Sequence, residues 1–176
     1  MNERQLIDGC KKGDRIAQKE LYDCFSRKMF GVCYRYVNDR ETAADVLQDG
    51  FVKVFTSLSS YSGVGSFEGW VRKVFVNTAL EYLRKSDVLR EATDLDNTAE
   101  LVEPDSSIIS DLAAEDLMRL IQELPSGFRT VFNMFAIEGY SHKEIGEALN
   151  ITESTSRSQI TRARQLLQQK INDLDL

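Results

Sequence analysis

The sequence predicts an all-α protein of two small helical domains joined by an acidic linker. Apolar residues recur at intervals of three and four along most of the 176-residue chain, and no stretch alternates strictly as a half-buried strand would. Only 2 prolines and 10 glycines occur, too few for a turn-rich β-sandwich. The excess acidic charge is confined to one central segment, which separates the two helical parts.

The first domain, residues 1–90, is expected to contain three helices and one polar loop. Their boundaries follow from capping residues, chain breakers and the spacing of apolar side chains. The first predicted helix begins at its N-cap Asp14, runs to about Val37 and is ended by Asn38-Asp39. The second runs from about Glu41 to Leu58 and is followed by a Gly/Ser loop over 59–66. The third is capped by Ser66 and runs from Phe67 to about Lys85.

The second domain, residues 109–176, is expected to contain four helices. Pro125 ends the first of them, Gly139 is a suitable residue to follow the second, and Ser141 with Glu144 forms a capping box that opens the third. The first two helices are predicted at Ile109–Leu124 and Phe128–Ile137, and Val131, Phe132 and Phe135 of the second are expected to face inward. The third is a short helix to Leu149, which the turn Asn150-Ile151-Thr152 connects to the fourth, Glu153–Ile171.

The charge is distributed unevenly. Residues 1–90 carry a net charge of +3, residues 91–118 carry −9 without any Lys or Arg, and residues 119–176 are neutral, which gives −6 for the whole chain. We interpret residues 91–108 as the linker between the domains. It is either a solvated tether or an acidic segment that shields a basic surface elsewhere in the chain.

Several classes of protein are disfavoured. No run approaches 18 apolar residues and the first residues do not form a secretory signal, so we expect no membrane insertion. The cysteines Cys10, Cys24 and Cys33 lack metal-ligand spacing and are interpreted as reduced thiols of a cytoplasmic protein. The one histidine, His142, is expected to be exposed, and no Cys pair or Gly-rich phosphate loop accompanies it. We therefore expect no metal, no cofactor and no catalytic site.

The end of the chain has the pattern of a helix-turn-helix, in which the second helix enters the major groove of DNA. At 100° per residue, one side of the last helix is apolar and faces the core, with Ser156, Ile160, Ala163 and Leu167. The opposite side carries Ser154, Ser158, Arg162 and Gln165, which are free to meet base edges, and one flank carries Arg157 and Arg164, which can reach phosphates. The alternative is a solvated helix face of mixed charge.

Residues 20–85 combine twelve aromatic residues with a cluster of cations on the third helix. Most of the rings are expected to lie in the core. Cations beside rings and a polar loop suit single-stranded nucleic acid, where bases stack or enter pockets and phosphates need counter-charges. A helical packing unit with a solvated face would have a similar composition.

Several segments, in order along nearly the whole chain, resemble the extracytoplasmic-function (ECF) sigma factors of bacterial RNA polymerase. Each segment matches a short family pattern at the expected spacing. They are 43–51 (AADVLQDGF), 65–71 (GSFEGWV), 76–85 (VNTALEYLRK), 124–131 (LPSGFRTV), 141–146 (SHKEIG) and 158–164 (SQITRAR).

The resemblance implies a region 2-type helical domain, a region 4-type helix-turn-helix domain, and three binding surfaces. The family binds core RNA polymerase and promoter DNA, as duplex and as melted strand, and often has an anti-sigma factor as a further partner. By position, the core-polymerase residues would be Asp45, Leu47, Gln48, Asp49 and Phe51; the minus-ten residues Ser60, Tyr61, Ser62, Gly63, Ser66, Lys73 and Asn77; and the minus-thirty-five residues Ser154, Thr155, Arg157, Ser158, Arg162 and Arg164.

Some residues depart from the family pattern. Ser156 stands where Val is usual, which predicts either looser packing or a hydroxyl that bonds back to the chain. Gln159 replaces a frequent cation, which predicts the loss of a phosphate contact, and Ser154 replaces a usual Gly. Gly146, where Ala is usual, costs helix propensity.

The strongest rival is a two-domain regulator that binds duplex DNA alone while its first domain senses a signal or dimerises. Such a regulator would have the same helix-turn-helix but would not require the runs 45–51 and 70–85. The two hypotheses differ in whether the chain shifts duplex promoter DNA alone or only together with core polymerase.

Overall fold

The computed structural model describes residues 1–86 and 114–174, and these residues form helices and connecting turns without a strand. The all-α prediction is therefore confirmed. The chain divides into two compact units, Met1–Leu83 and Arg84–Leu176. The linker predicted at 91–108 lies outside the described residues, so its boundaries stay a prediction.

The first unit contains a helix that the sequence analysis did not predict. This helix, α1 (Glu3–Lys11), is opened by a capping box in which Asn2 Oδ1 accepts from the Gln5 backbone N–H at 2.8 Å and Gln5 Oε1 accepts from the Asn2 N–H at 3.2 Å. Its buried side chains, Leu6, Ile7 and Cys10, lie on the side that packs against the next helix.

The three predicted helices of this unit are present. They are α2 (Arg15–Val37), α3 (Arg40–Ser57) and α4 (Phe67–Lys85), with a short 3₁₀ turn at Leu58–Ser60 after α3. Asp14 caps α2 as predicted, and Asn38 ends it with a left-handed backbone, φ 56°. Asp39 then caps α3 by accepting from the Thr42 N–H at 2.7 Å, a bond that lowers the pKa of this carboxyl.

Helices α3 and α4 approach each other closely at Gly50. A Cβ at this position would overlap the ring of Phe75, so the glycine makes room for that ring. The Phe75 ring also packs edge-on against Phe51, with 5.1 Å between the ring centroids. Gly50 therefore lies inside the core of the first unit, although it is part of a segment that the sequence analysis assigned to binding.

The second unit contains α5 (Ala114–Gln122), α6 (Ser126–Phe132), a π-helical segment (Asn133–Ile137), α7 (His142–Leu149) and α8 (Glu153–Leu174). Of the helix predicted at 109–124, the first five residues lie outside the described range. The helix predicted at 128–137 begins two residues earlier and widens into the π segment, where Phe135 is only half-buried, although it was predicted to face inward. The predicted end at Gly139 is confirmed, with φ +76°.

Arg129 of α6 links this helix to the end of α5 through its side-chain hydrogen bonds. Its side chain is buried, and its Nη1 donates to the carbonyl oxygens of Gln122 and Leu124 at 3.1 and 3.0 Å. These carbonyls lie at the end of α5, where a cation is favoured by the helix dipole. Burial lowers the pKa of Arg129. The arginine of the family segment 124–131 thus has a structural role.

The three cysteines are free thiols, as predicted. Cys10 and Cys33 are buried and Cys24 is exposed, and burial raises the pKa of Cys33 to about 12. Within residues 1–86 and 114–174, no helix is long and apolar enough to cross a membrane, and no group of His, Cys, Asp or Glu could hold a metal ion.

Candidate nucleic-acid interface

Helices α7 and α8 form the predicted helix-turn-helix. The capping box at Ser141 and Glu144 is present, with the Glu144 N–H donating to Ser141 Oγ at 3.2 Å and the Ser141 N–H donating to Glu144 Oε2 at 2.8 Å. Asn150 ends α7 with φ 55°. Thr152 then opens α8, because its Oγ1 accepts from the Thr155 N–H at 3.0 Å.

Gly146 allows the turn between these helices to be tight. A Cβ here would lie 2.7 Å from the carbonyl oxygen of Ile151, whose own N–H donates to the Gly146 oxygen at 3.0 Å. Helix propensity alone predicts only a cost for this glycine. The structure shows why glycine is favoured here: the backbone at Ile151 comes too close to leave room for a side chain.

The core-facing side of α8 is as predicted. Ser156, Ile160, Ala163 and Leu167 are all buried. Gln159 is also buried, with 3% of its surface exposed, because it lies one turn from Ser156 and Ala163 on the same side of the helix. The interpretation of Gln159 as a lost phosphate contact is therefore wrong, since this position faces the core.

His142 is not exposed as predicted, but half-buried. It is the first residue of α7, and its Nδ1 lies 2.9 Å from the hydroxyl oxygen of the buried Ser156 on α8. Its ring also stacks on Phe135 at 4.4 Å. Ser156 therefore bonds within the chain, the second of the two alternatives predicted for it.

Desolvation lowers the pKa of His142, and the nearby charges of Arg157 and Arg164 lower it further against the opposing effect of Glu153. The imidazole is thereby favoured in its neutral form. The two arginines belong to the polar face of α8, so this internal contact lies directly beside the predicted DNA-binding side chains.

The polar face of α8 carries the predicted minus-thirty-five residues. Ser154, Arg157 and Arg164 are exposed, whereas Thr155, Ser158 and Arg162 are half-buried. Arg157 Nη2 lies 3.0 Å from Glu153 Oε2, and the Arg164 guanidinium carbon lies 5.9 Å from the centre of the Phe135 ring. Both cations are thus held by neighbours while their surfaces stay accessible.

In the first unit, the loop between α3 and α4 has a defined structure. The Tyr61 hydroxyl donates to the carbonyl of Gly65 at 2.9 Å, and the Tyr61 ring packs on Phe67 and Trp70 at 5.2 and 5.6 Å. Gly63 and Gly65 have φ near +80°, which glycine adopts without strain. The loop is therefore anchored on α4 by Tyr61.

The remaining predicted minus-ten residues lie in this loop and on α4. Ser62, Ser66, Lys73 and Asn77 are exposed, and the Ser66 hydroxyl caps α4 by accepting from the Gly69 N–H at 3.0 Å. Ser60 Oγ donates to the Ser57 carbonyl at 2.7 Å. Lys73 and Asn77 are one turn apart, and within the described parts of the chain neither has a hydrogen-bond or ion-pair partner.

The five residues assigned to core polymerase do not share one surface. Asp45, Gln48 and Asp49 are exposed, whereas Leu47 and Phe51 are 8% and 4% exposed and pack into the core. Leu47 and Phe51 can therefore support a surface but contribute little area to it. Two exposed apolar side chains lie nearby that were not predicted for this surface, Val52 at 60% and Tyr22 at 44%.

Val52 belongs to the same surface of α3 as the exposed polar residues. It lies three residues after Asp49 and four after Gln48, so the helical period could have identified it. Tyr22 lies on α2, and its ring contacts Phe51 at 4.6 Å. We call the set Asp45, Gln48, Asp49, Val52 and Tyr22 the α3 stripe.

Two family models match the chain. Sigma-70 region 2 matches residues 21–88, and Sigma-70 region 4 matches residues 114–167. Together they cover about two thirds of the sequence, one in each of the two predicted domains.

Curated relatives align over nearly the whole length. The ECF RNA polymerase sigma-E factor of Haemophilus influenzae is 29% identical over 185 residues, covering 99% of this chain and 97% of that protein. The ECF RNA polymerase sigma factor SigW of Bacillus subtilis is 27% identical, covering 97% of each chain.

A solved structure has the same fold. It is the sigma factor RpoE in its co-crystal with the anti-sigma factor NepR from Bartonella quintana, which matches with a TM-score of 0.53 and 19% identity over 90% of this chain and 98% of that chain.

The fold and the polar face of α8 define a two-domain helical protein with a helix-turn-helix for DNA. With the matches to both regions, the chain belongs to the ECF sigma factors of RNA polymerase. It is a transcription initiation factor that acts with core RNA polymerase in promoter recognition and initiation.

Proposed function

We propose a division of labour among three surfaces. The α3 stripe binds core RNA polymerase, the loop of residues 60–66 with Lys73 and Asn77 holds an unpaired base of the minus-ten element, and the polar face of α8 reads the minus-thirty-five duplex. The observation that carries the proposal is the burial pattern of α8, in which one side of the helix is covered and the polar side stays accessible.

The face of α8 suits duplex DNA because it combines cations with short polar side chains. Arg157 and Arg164 are exposed on one flank of this face, where arginine reaches phosphate, while Ser158 and Arg162 lie on the face itself. Arginine can donate two hydrogen bonds to a guanine edge in the major groove. Glu153 holds Arg157 in the free protein, so a phosphate would replace a carboxylate as its partner.

The loop suits an unpaired base because its conformation is already fixed in the free protein. Tyr61 anchors it on α4, and Lys73 and Asn77 offer donors that no described neighbour uses. Extruding a base from a duplex costs a few kcal/mol, which a shaped pocket with nearby cations can offset. Strand opening would then be driven by binding energy, without ATP.

The α3 stripe suits a protein partner because it joins carboxylates to exposed apolar area. Asp45 and Asp49 would face a basic surface on core polymerase, and Val52 with Tyr22 would supply an apolar contact beside them. Leu47 and Phe51 would contribute indirectly, because their packing in the core holds α3 in position.

We further propose that the chain catalyses no reaction of its own and works in the cytoplasm, where the polymerase acts. Support comes from its family, whose members are initiation factors. His142, the one imidazole, is engaged with Ser156 and Phe135.

An inhibitor protein would have to cover a surface that the polymerase needs. The RpoE structure from Bartonella quintana contains an anti-sigma factor. We propose that an anti-sigma partner of this chain competes with core polymerase for the α3 stripe.

Run-off transcription with purified core polymerase tests the proposed function. The template is DNA from upstream of the gene for this protein. We expect a discrete transcript that requires both the chain and core, and a gel shift of promoter DNA that also requires both. A chain that shifts duplex promoter DNA equally well without core, and yields no transcript, would support the rival regulator instead.

A further inference from the structure

A cleft of about 430 Å³ lies in the first unit between α1 and the Tyr61–Gly63 part of the loop. Its size falls within the range of about 300–1,000 Å³ that is usual for sites of small organic ligands. Lys11 Nζ lies 3.5 Å from the carbonyl oxygen of Tyr61 and joins the two walls. No function was predicted for α1 from the sequence.

The α1 wall of the cleft carries charges of both signs. Arg4 and Lys11 supply two cations, Glu3 and Asp8 supply two carboxylates, and Ile7 supplies a small apolar surface. Within residues 1–86 and 114–174, none of the four charged side chains is in an ion pair. Glu3, Arg4 and Asp8 are therefore available to a ligand, and Lys11 Nζ keeps two donors besides the one directed at Tyr61.

We propose that this cleft binds a second unpaired nucleotide of the promoter, next to the base that the loop captures. The inference rests on the proposed role of the loop, because the cleft and the captured base would share Tyr61, Ser62 and Gly63. Because Lys11 of α1 lies 3.5 Å from Tyr61 of the loop, a strand held by the loop would have its neighbouring nucleotide within reach of α1.

The mixture of charges favours a nucleotide over a bare phosphate. A phosphate group would be attracted by Arg4 and Lys11 and repelled by Glu3 and Asp8. A nucleotide satisfies both signs, since its phosphate can meet the cations while the exocyclic amino group of adenine or cytosine donates to a carboxylate. Thymine has no such group, so the cleft would prefer adenine or cytosine to thymine.

The phosphate contact is tested with holoenzyme and fork-junction promoter DNA over a range of salt concentrations. Lys11→Gln and, separately, Arg4→Gln remove a cation from the cleft, while Lys12→Gln removes an adjacent exposed cation that does not line it. Each lost phosphate contact on single-stranded DNA lowers the slope of log affinity against log salt by about 0.7. We expect this change for the first two variants and none for the control.

The base contact is tested with probes that carry adenine or thymine at each position flanking the captured base. We expect Asp8→Ala to reduce the ratio of adenine to thymine affinity at one flanking position about tenfold, the effect of about 1.4 kcal/mol from one good base contact. The control Asp23→Ala, on the exposed side of α2, should leave the ratio unchanged.

The proposal is overturned if Lys11→Gln and Arg4→Gln behave like Lys12→Gln, or if they weaken binding to intact duplex as much as to fork-junction DNA. Circular dichroism confirms that the variants are folded. Asn77→Ala separates this proposal from the one on which it rests, because Asn77 does not line the cleft. If only Asn77→Ala weakens fork binding, the cleft assignment fails; if no variant does, the minus-ten assignment of the loop fails as well.

Discussion

Single side chains on α8 are held in place by contacts that lie outside the DNA-binding face. His142 bonds to Ser156 from α7, its ring stacks on Phe135, and Phe135 in turn lies beneath Arg164. The position of a predicted phosphate-binding cation therefore depends on a histidine and a phenylalanine that touch no DNA in the proposed complex.

Replacement of Arg162 tests the recognition face most directly. We expect Arg162→Ala to weaken promoter-specific initiation by about 1–3 kcal/mol, or roughly 5- to 150-fold, because it removes a side chain that is predicted to face base edges. Association with core polymerase should be retained. Run-off transcription and a core pull-down measure the two effects.

The matched control for this variant is Arg119→Ala, which removes an exposed arginine of α5 that pairs with Asp116. It should leave initiation unchanged. Equal loss of initiation and of core association in Arg162→Ala would indicate misfolding or a wrong assignment of Arg162.

His142 should make the stability of the second domain depend on pH. The folded protein lowers the pKa of His142 below its ordinary value of 6.5. As the pH falls through that value, the unfolded chain binds a proton that the folded chain does not, so the free energy of unfolding decreases. We expect the melting temperature to fall between pH 7.5 and pH 5.5, and to fall less in His142→Gln. An identical fall in both proteins would contradict this role.

Within the first unit, helix α3 combines two roles on opposite sides. Leu47 and Phe51 pack inward, whereas Asp45, Gln48 and Asp49 face solvent. The contiguous family segment of residues 43–51 thus consists of two interleaved sets, one for packing and one for the proposed contact with polymerase. The helical period of 3.6 residues separates them.

The close contact of α3 with α4 predicts opposite effects for two Gly→Ala substitutions. Gly50→Ala should destabilise the protein by about 1–3 kcal/mol, because its methyl group overlaps the Phe75 ring. Gly31→Ala, in the middle of α2 with no atom near the new methyl group, should stabilise it by about 0.5–1 kcal/mol. Urea unfolding measures both values, and stabilisation by Gly50→Ala would contradict the packing described.

The α3 stripe predicts a loss of core association without a loss of stability. Asp45→Asn and Asp49→Asn should each weaken binding to core polymerase by about 1 kcal/mol, roughly fivefold, because each removes an exposed charge. Asp23→Asn, on α2 and paired with Lys19, is the control and should have no effect. Competition binding against core, with the melting temperature as a check, distinguishes the outcomes; equal binding by all three variants would rule out the stripe.

For the whole chain, the charge pattern predicts an effect of the acidic segment on DNA binding. Replacing the nine carboxylates of residues 91–118 by amides would change the net charge from −6 to +3. If the segment shields a basic surface, the free chain should then bind duplex DNA more tightly at low salt, and the difference should vanish in 1 M salt, where charges are screened within about 3 Å. Unchanged binding at low salt would leave the segment a plain tether.

Much of the fold could be predicted because its signals are local in the sequence. The caps at Asp14, Ser66 and Ser141, the stop at Gly139 and the buried stripe of α8 each follow from a few neighbouring residues. The capping box at Asn2 and Gln5 is a signal of the same kind, and it could have identified α1. The assignments of DNA and polymerase contacts to individual residues stay predictions.

Contacts between distant segments could not be predicted in this way. Residue spacing does not reveal that His142 meets Ser156, that Gly50 makes room for Phe75, or that α1 lies beside the loop at Tyr61. The amino-acid order was sufficient for the all-α class, most of the helices and the family, because capping, apolar periodicity and the family motifs each involve a few neighbouring residues. Which side chains are covered, paired or left open to a ligand depended on packing, since burial is a property of the folded chain as a whole.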